Sequence, residues 1–240
     1  MNYVMTEQRD GVGYLTLNRP KVHNACNGDV LRAISQAIEF FEHQPGVGAV
    51  VIGGVEPSFC SGSDVTELRA LSDIEAQARV RLDYQVKERV AACTKPVLAA
   101  IRGYCLGGGL ELASACDLRI AAEDAVFGLP EIDLGSLAGS GGLQRLPALI
   151  GVGRTKEWAM TGRKIAAQEA LHAGLLMEIC SVAELSSRVH QVAVTLAGRS
   201  ALSMRVMKAA LDHGPTGHFA RSITLHELAS GAVRRNKDFG

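Results

Sequence analysis

The chain carries no surplus of charge of either sign: 25 Lys and Arg stand against 25 Asp and Glu. With no basic block to act as a local patch, it has no electrostatic reason to gather on nucleic acid, whose binding depends on neutralised phosphates. No nucleic-acid partner is expected. It also lacks any Cys-x-x-Cys pair. Its six cysteines, Cys26, Cys60, Cys93, Cys105, Cys116 and Cys180, fall mostly in apolar runs, with no histidine at metal-ligand spacing. They read as small buried thiols in a reducing compartment, which excludes a disulfide framework and a zinc site. No segment approaches the ~18–20 uninterrupted apolar residues that a membrane span needs. The opening MNYVMTEQRDGVGYLTL has no basic region followed by an apolar stretch, so a cytoplasmic protein without a membrane partner is expected. Repeats and low-complexity tracts are absent as well.

What the 240 residues do contain is a globular composition, 47% hydrophobic and 21% charged, with 26 Gly and 7 Pro. Val12–Leu17 alternates like a strand and runs into Asn18-Arg19-Pro20. Val30, Leu31, Ile34, Ile38 and Phe41 recur at helical spacing, and His43-Gln44-Pro45-Gly46 closes that helix. Val47–Ile52, Pro96–Ile101 and Leu118–Ala121 read as short buried strands, with a helix-like Leu110–Cys116 before the last. Residues 64–92, charged and alanine-rich, read as a pair of surface helices. Strands alternating with helices imply an α/β architecture with at least partly parallel strands. From Gly151 onward the pattern becomes almost wholly helical: Arg154–Met160, Ala166–Ala173, Val182–Ala197 and Ala201–His213. No polar linker marks that change, so the helical part reads as a docked extension.

Three constellations could carry chemistry. In Phe59-Cys60-Ser61-Gly62-Ser63-Asp64, a small-residue turn before a helix leaves backbone N–H groups free to hold an anion or polarise a carbonyl. The same residues also suit an ordinary turn with Asp64 as N-cap. Gly107-Gly108-Gly109 opens a helix containing Glu111, and three glycines in a row suggest close approach of a ligand to the main chain. They match neither GxGxxG nor a P-loop, which excludes dinucleotide and triphosphate readings. Glu111 is flanked by Leu110, Leu112, Ala113, Ala115 and Cys116, and burial of such a carboxylate without a partner raises its pKa. Glu131, after Phe127-Gly128-Leu129-Pro130, reads either as a first-turn glutamate favoured by the helix dipole or as a functional group ahead of the glycine-rich 135–142 segment.

Taken in order, these strings resemble a known family. SFCSGSDVTEL, KPVLAAIRGYCLGGGLELASACDLRIAAEDAVFGLPEIDLG and GSGGLQRLPALIG, with the earlier NRPKVHNA and the later MTGRKIAAQEALHAGLL, resemble the enoyl-CoA hydratase/isomerase, or crotonase, family over nearly the whole chain. The resemblance implies a crotonase-like spiral of stacked ββα units over residues 1–190. It also implies an α-helical trimerisation region over 191–240, and a homotrimer or dimer of trimers.

The resemblance further implies that the backbone N–H groups of Ser63 and Gly108 form an oxyanion hole, and that Glu111 and Glu131 are the catalytic acid/base pair. Gly139 would position the water, and CoA would pass along Lys21, Val22, His23, Ser61, Asp64, Val65 and Thr66. The implied activity is hydration of a 2-enoyl-CoA thioester, with acyl-CoA as substrate, no separate cofactor and no metal. Glycine at 139, where related dehalogenases carry an aspartate nucleophile, argues against dehalogenation.

Other readings of the same family remain open. One is enoyl-CoA isomerisation or another acyl-CoA enolate reaction. Another is a catalytically silent or RNA-binding relative, which should display a lysine-rich helix. Against the latter, Arg69, Arg79, Arg81, Lys87 and Arg89 are mixed with Asp73, Glu75, Asp83 and Glu88, which reads as a solvated mixed-charge face. Leu129 and Ala138 replace residues often glutamine and proline in the family. The chain ends at Asp238-Phe239-Gly240, where members usually continue into a final basic helix, so a shortened C-terminus with altered CoA affinity is expected.

Overall fold

A computed structural model of the chain describes residues 3–213. Its elements are β1 (Val4–Arg9), β2 (Val12–Leu17), α1 (Gly28–His43), β3 (Ala49–Gly54), α2 (Val65–Ala70), α3 (Asp73–Ala91), β4 (Val97–Ile101), β5 (Tyr104–Leu106), α4 (Gly108–Ala115), β6 (Leu118–Ala122), β7 (Val126–Gly128), α5 (Gly142–Ile150), α6 (Val152–Thr161), β8 (Ile165–Ala166), α7 (Ala167–His172), β9 (Glu178–Cys180), α8 (Leu185–Ala197) and α9 (Ala201–His213). Six strands form one sheet in the order β1-β2-β3-β4-β6-β9, antiparallel between β1 and β2 and parallel elsewhere. A smaller sheet, β5-β7-β8, stands beside it.

The middle strands read as continuous apolar runs because both faces of the sheet are covered. Val50 and Ile52 of β3 and Val97, Ala99 and Ile101 of β4 face the main core with Phe41, Phe59, Phe127 and Trp158. Their alternates, Ala49, Val51 and Leu98, face Leu185, Val189 and Ala193 of α8. The α8 helix, which spans residue 190, therefore closes the second face of the sheet.

Three departures from the sequence reading have simple causes. β1 gave no signal because it is an edge strand of which only Val4 is buried. The region after Gly151 is not wholly helical: β8 and β9 are too short to show a period, yet β9 pairs Ile120–Ala122 with Glu178–Cys180 and extends the main sheet. α3 is not simply a solvated face. Arg79, Asp83 and Lys87 are buried along with Val86 and Val90, so one stripe of this charged helix points inward. The chain's end, with Asp238, Phe239 and Gly240, lies outside the described residues.

Candidate active site

The turn after β3 is held to the segment after Pro20 by backbone bonds. Cys26 N–H donates to Gly62 O at 2.8 Å and Asp64 N–H donates to Cys26 O at 2.9 Å. In this parallel bridge Cys26 uses the residues on either side of Ser63, so Ser63's own N–H faces the opposite side. On that side lies Gly108, the first residue of α4, whose N–H has no partner within its helix. A Cβ built on Gly108 would stand 3.4 Å from Ser63 N and 3.2 Å from Ser63 Oγ. The two N–H groups named from the sequence thus border one small space.

The three glycines before Glu111 serve different ends. Gly107 has φ 50°, and a Cβ there would lie 2.8 Å from Glu131 Oε1. Gly109 packs its bare Cα against Cys60, where a side chain would overlap the carbonyl oxygen. Gly108 instead borders Ser63 and Lys87, so two of the three glycines serve the chain's own packing and the third lies at the space shared with Ser63. Gly109→Ala is expected to lower stability by about 1–3 kcal/mol through overpacking, read as a lower urea midpoint at unchanged slope.

Glu111 lies within α4 and is 2% exposed. Its Oε1 accepts from Ser140 N at 2.8 Å and from Gly142 N at 2.9 Å, the second an unpaired N–H at the start of α5. The adjacent Gly139, taken from the sequence as the water-positioning residue, is exposed and is not a donor to Glu111. Oε2 of Glu111 is 3.1 Å from Lys87 Nζ, which also lies 2.8 Å from Asp83 Oδ1. Ser140 Oγ donates to Asp83 Oδ2 at 3.0 Å, and the Arg79 guanidinium is 3.7 Å from the same oxygen.

Glu131 sits in the short 3₁₀ turn Pro130–Leu134, fixed by Pro130 at its start and by left-handed Gly135 at its end. Its Oε2 is buried without a protein partner among the described residues. Burial pushes its carboxyl up to about 7, reinforced by the nearby Glu111 charge and eased by Lys87.

The chain segment expected to carry CoA is assembled beside this space. Lys21 and Val22 belong to an exposed 3₁₀ turn. Ser61 N donates to His23 O at 2.9 Å and Ser61 Oγ donates to Val22 O at 3.1 Å, while His23 Nδ1 pairs with Ser58 Oγ at 2.9 Å. Asp64 caps α2, accepting from Thr66 N and Glu67 N, and forms an ion pair with Arg19 at 2.9 Å. Burial alone would raise its carboxyl, but the Arg19 bond and charge and the two backbone donors outweigh this and leave it low. Asp64→Ala is expected to cost about 1 kcal/mol through the lost cap, seen as a lower melting temperature. Val65 and Thr66 form the first turn of α2.

The family model described as enoyl-CoA hydratase/isomerase matches residues 7–233. The chain belongs to the enoyl-CoA hydratase/isomerase family. It is 37% identical to a short-chain-enoyl-CoA hydratase from Clostridium acetobutylicum, over 99% of this chain and 92% of that protein. It is 36% identical to a crotonyl-CoA hydratase from Syntrophomonas wolfei, over 98% and 91%. The crystal structure of an enoyl-CoA hydratase from Bacillus anthracis superposes with a TM-score of 0.94 at 33% identity, covering 98% of this chain and 92% of that one.

Within this enoyl-CoA hydratase/isomerase chain, the sequence reading missed Lys87, Asp83 and Arg79 at the site. A signal for them exists. Positions 79, 83, 86, 87 and 90 form one inward helical stripe whose apolar members are Val86 and Val90. The apolar pair Val86 and Val90 is too small a part of that stripe to stand out, and the mixed charge around it hides which side faces inward. Leu129 and Ala138 are both buried. Among the described residues no helix is long and apolar enough to cross a membrane.

Proposed function

We propose that the protein hydrates short 2-enoyl-CoA thioesters, with Ser63 and Gly108 as oxyanion donors and Glu111 and Glu131 as the acid/base pair. The observation that carries this reading is the contrast between the two glutamates beside the space that the Ser63 and Gly108 N–H groups border. Glu111 meets two N–H donors and an ammonium, whereas Glu131 has a partnerless buried oxygen and a carboxyl raised to about 7. A carboxylate held by donors and a cation suits the base, and a carboxyl raised by burial suits the acid.

In the step proposed, Glu111 takes a proton from water as the water oxygen bonds to C3. The π electrons move toward the thioester, whose oxygen gains charge against the Ser63 and Gly108 N–H groups. Glu131 then gives its proton to C2. Glu111 leaves the cycle protonated and Glu131 ionised, and solvent exchange restores both. Gly139, one residue before the Ser140 donor, borders the water's position in this reading. CoA runs along Lys21, Val22, His23, Ser61 and the Asp64–Thr66 turn, and acyl-CoA is the substrate with no further cofactor. Assembly into trimers or paired trimers belongs to the same proposal and is read by light scattering.

The direct test is loss of the conjugated thioester absorbance of crotonyl-CoA, with ¹⁸O from labelled water appearing at C3. Inactivity on short, long and branched enoyl-CoAs alike sinks the assignment. Migration of the double bond from C2 to C3 without ¹⁸O uptake would identify an isomerase instead.

A further inference from the structure

Lys87 is 1% exposed, and its ammonium has two carboxylate partners, Asp83 and Glu111. Burial alone pushes such an amine down, but these two charges outweigh it and raise it above its ordinary value, so it stays a cation. The position is central to the site: a Cβ on Gly108 would lie 3.6 Å from Lys87 Nζ. Taking the cluster's groups in turn, α3 supplies Arg79, Asp83 and Lys87, α4 supplies Glu111, and the Pro130–Leu134 turn supplies Glu131. Glu67 of α2 pairs with Arg79 at 3.0 Å, Ser140 and Gly142 bring neutral donors, and the Cys26 thiol borders Asp83 and Lys87.

With Glu131 protonated, Arg79, Glu67, Asp83, Lys87 and Glu111 sum to one negative charge. Ionising Glu131 as well adds a second, and removing Lys87 adds one more. A proton must then be distributed among neighbouring carboxylates that interact strongly.

Resting on the hydratase reading above, we propose that Lys87, fixed by Asp83, is a positioning residue. It keeps the Glu111 carboxylate ionised and oriented, so that the one proton of the glutamate pair resides on Glu131. Lys87 touches neither water nor substrate in this role and acts through Glu111. The alternative is that Lys87 only neutralises a buried Asp83.

The double variant D83N/K87M separates these readings, because it removes both charges and leaves no unpaired ion at Asp83 to unfold the core. If Lys87 works on Glu111, the folded double variant loses about 10²-fold in kcat with little change in KM, the penalty typical of a misplaced group. The acid limb of its pH profile also moves to higher pH, because the cation favouring the base form is gone. D83N alone, which retains Lys87 beside Glu111, loses much less. Carboxyl ¹³C resonances, assigned with Glu111→Gln and Glu131→Gln, give a readout without turnover. Wild type should show one ionised and one protonated signal at pH 6, and the double variant two signals drawn together.

A double variant with wild-type kcat, an unmoved acid limb and separate signals overturns the role. If wild type hydrates no enoyl-CoA, the hydratase reading fails, and the resonances still decide the placement of the proton.

Discussion

Replacing Glu131 by glutamine is expected to lower the crotonyl-CoA hydration rate by about 10²–10⁴-fold, the range for loss of a general acid or base, and Glu111→Gln by a similar factor. Their effects on the folded protein should differ. Glu131 Oε2 has no protein partner among the described residues, so a neutral amide breaks no hydrogen bond at that atom and removes a carboxylate that burial makes costly to ionise. In Glu111→Gln the amide keeps one oxygen for Ser140 N and Gly142 N but turns an NH₂ toward the Lys87 ammonium. A donor facing a buried donor costs about 1–3 kcal/mol, so this variant should unfold at lower urea.

The pH dependence follows from the same carboxyl. With Glu131 near 7 and needed in its protonated form, wild-type kcat/KM should fall tenfold per unit above about pH 7. For stability the sign is also fixed. The folded chain holds the Glu131 proton up to about 7, while the ordinary value is 4.5, so between those pH values the native state binds more protons than the unfolded one. This group's contribution to stability is present in full below the lower value and is lost as pH rises through the higher. Glu131→Gln should flatten that part of the stability profile, a comparison made by urea melts at pH 5 and 8.

Gly108→Ala is expected to lower kcat/KM by about 10²–10³-fold, the measure of one lost oxyanion donor. The methyl group would stand 3.4 Å from Ser63 N, in the space where a thioester oxygen has to meet both N–H groups. The fold should survive, since alanine suits the first turn of a helix better than glycine does. Ser63→Ala is the control. It keeps the main-chain donor and should retain most activity, and a large loss there would show that the Ser63 hydroxyl, not its backbone, is what matters. Circular dichroism and melting of both variants separate a blocked hole from a damaged fold.

Much of this site is legible in the sequence because its parts are local. A turn of small residues before a helix, three glycines before Glu111 and a proline before Glu131 each announce a backbone geometry within a few residues. What was not legible depends on contacts across the chain. That Ser140 and Gly142 donate to Glu111 could not be read from the chain, because it depends on where α5 begins relative to α4. Asp64 could be read as cap or ligand, and its bonds to Thr66, Glu67 and Arg19 show it capping α2. The weak strands β1, β8 and β9 become strands only through their neighbours' hydrogen bonds.

By itself the sequence determined the α/β class, the helices with a clear apolar period, the family and the two glutamates, since each of these is written in residue type and short-range spacing. The tertiary structure alone decided that Lys87, Asp83 and Glu111 share one buried cluster and that burial raises the Glu131 carboxyl to about 7. Charge on a helix says nothing about which way the helix faces. That depends on what packs over it, and burial next to another carboxylate is what changes a glutamate from a surface ion into an acid.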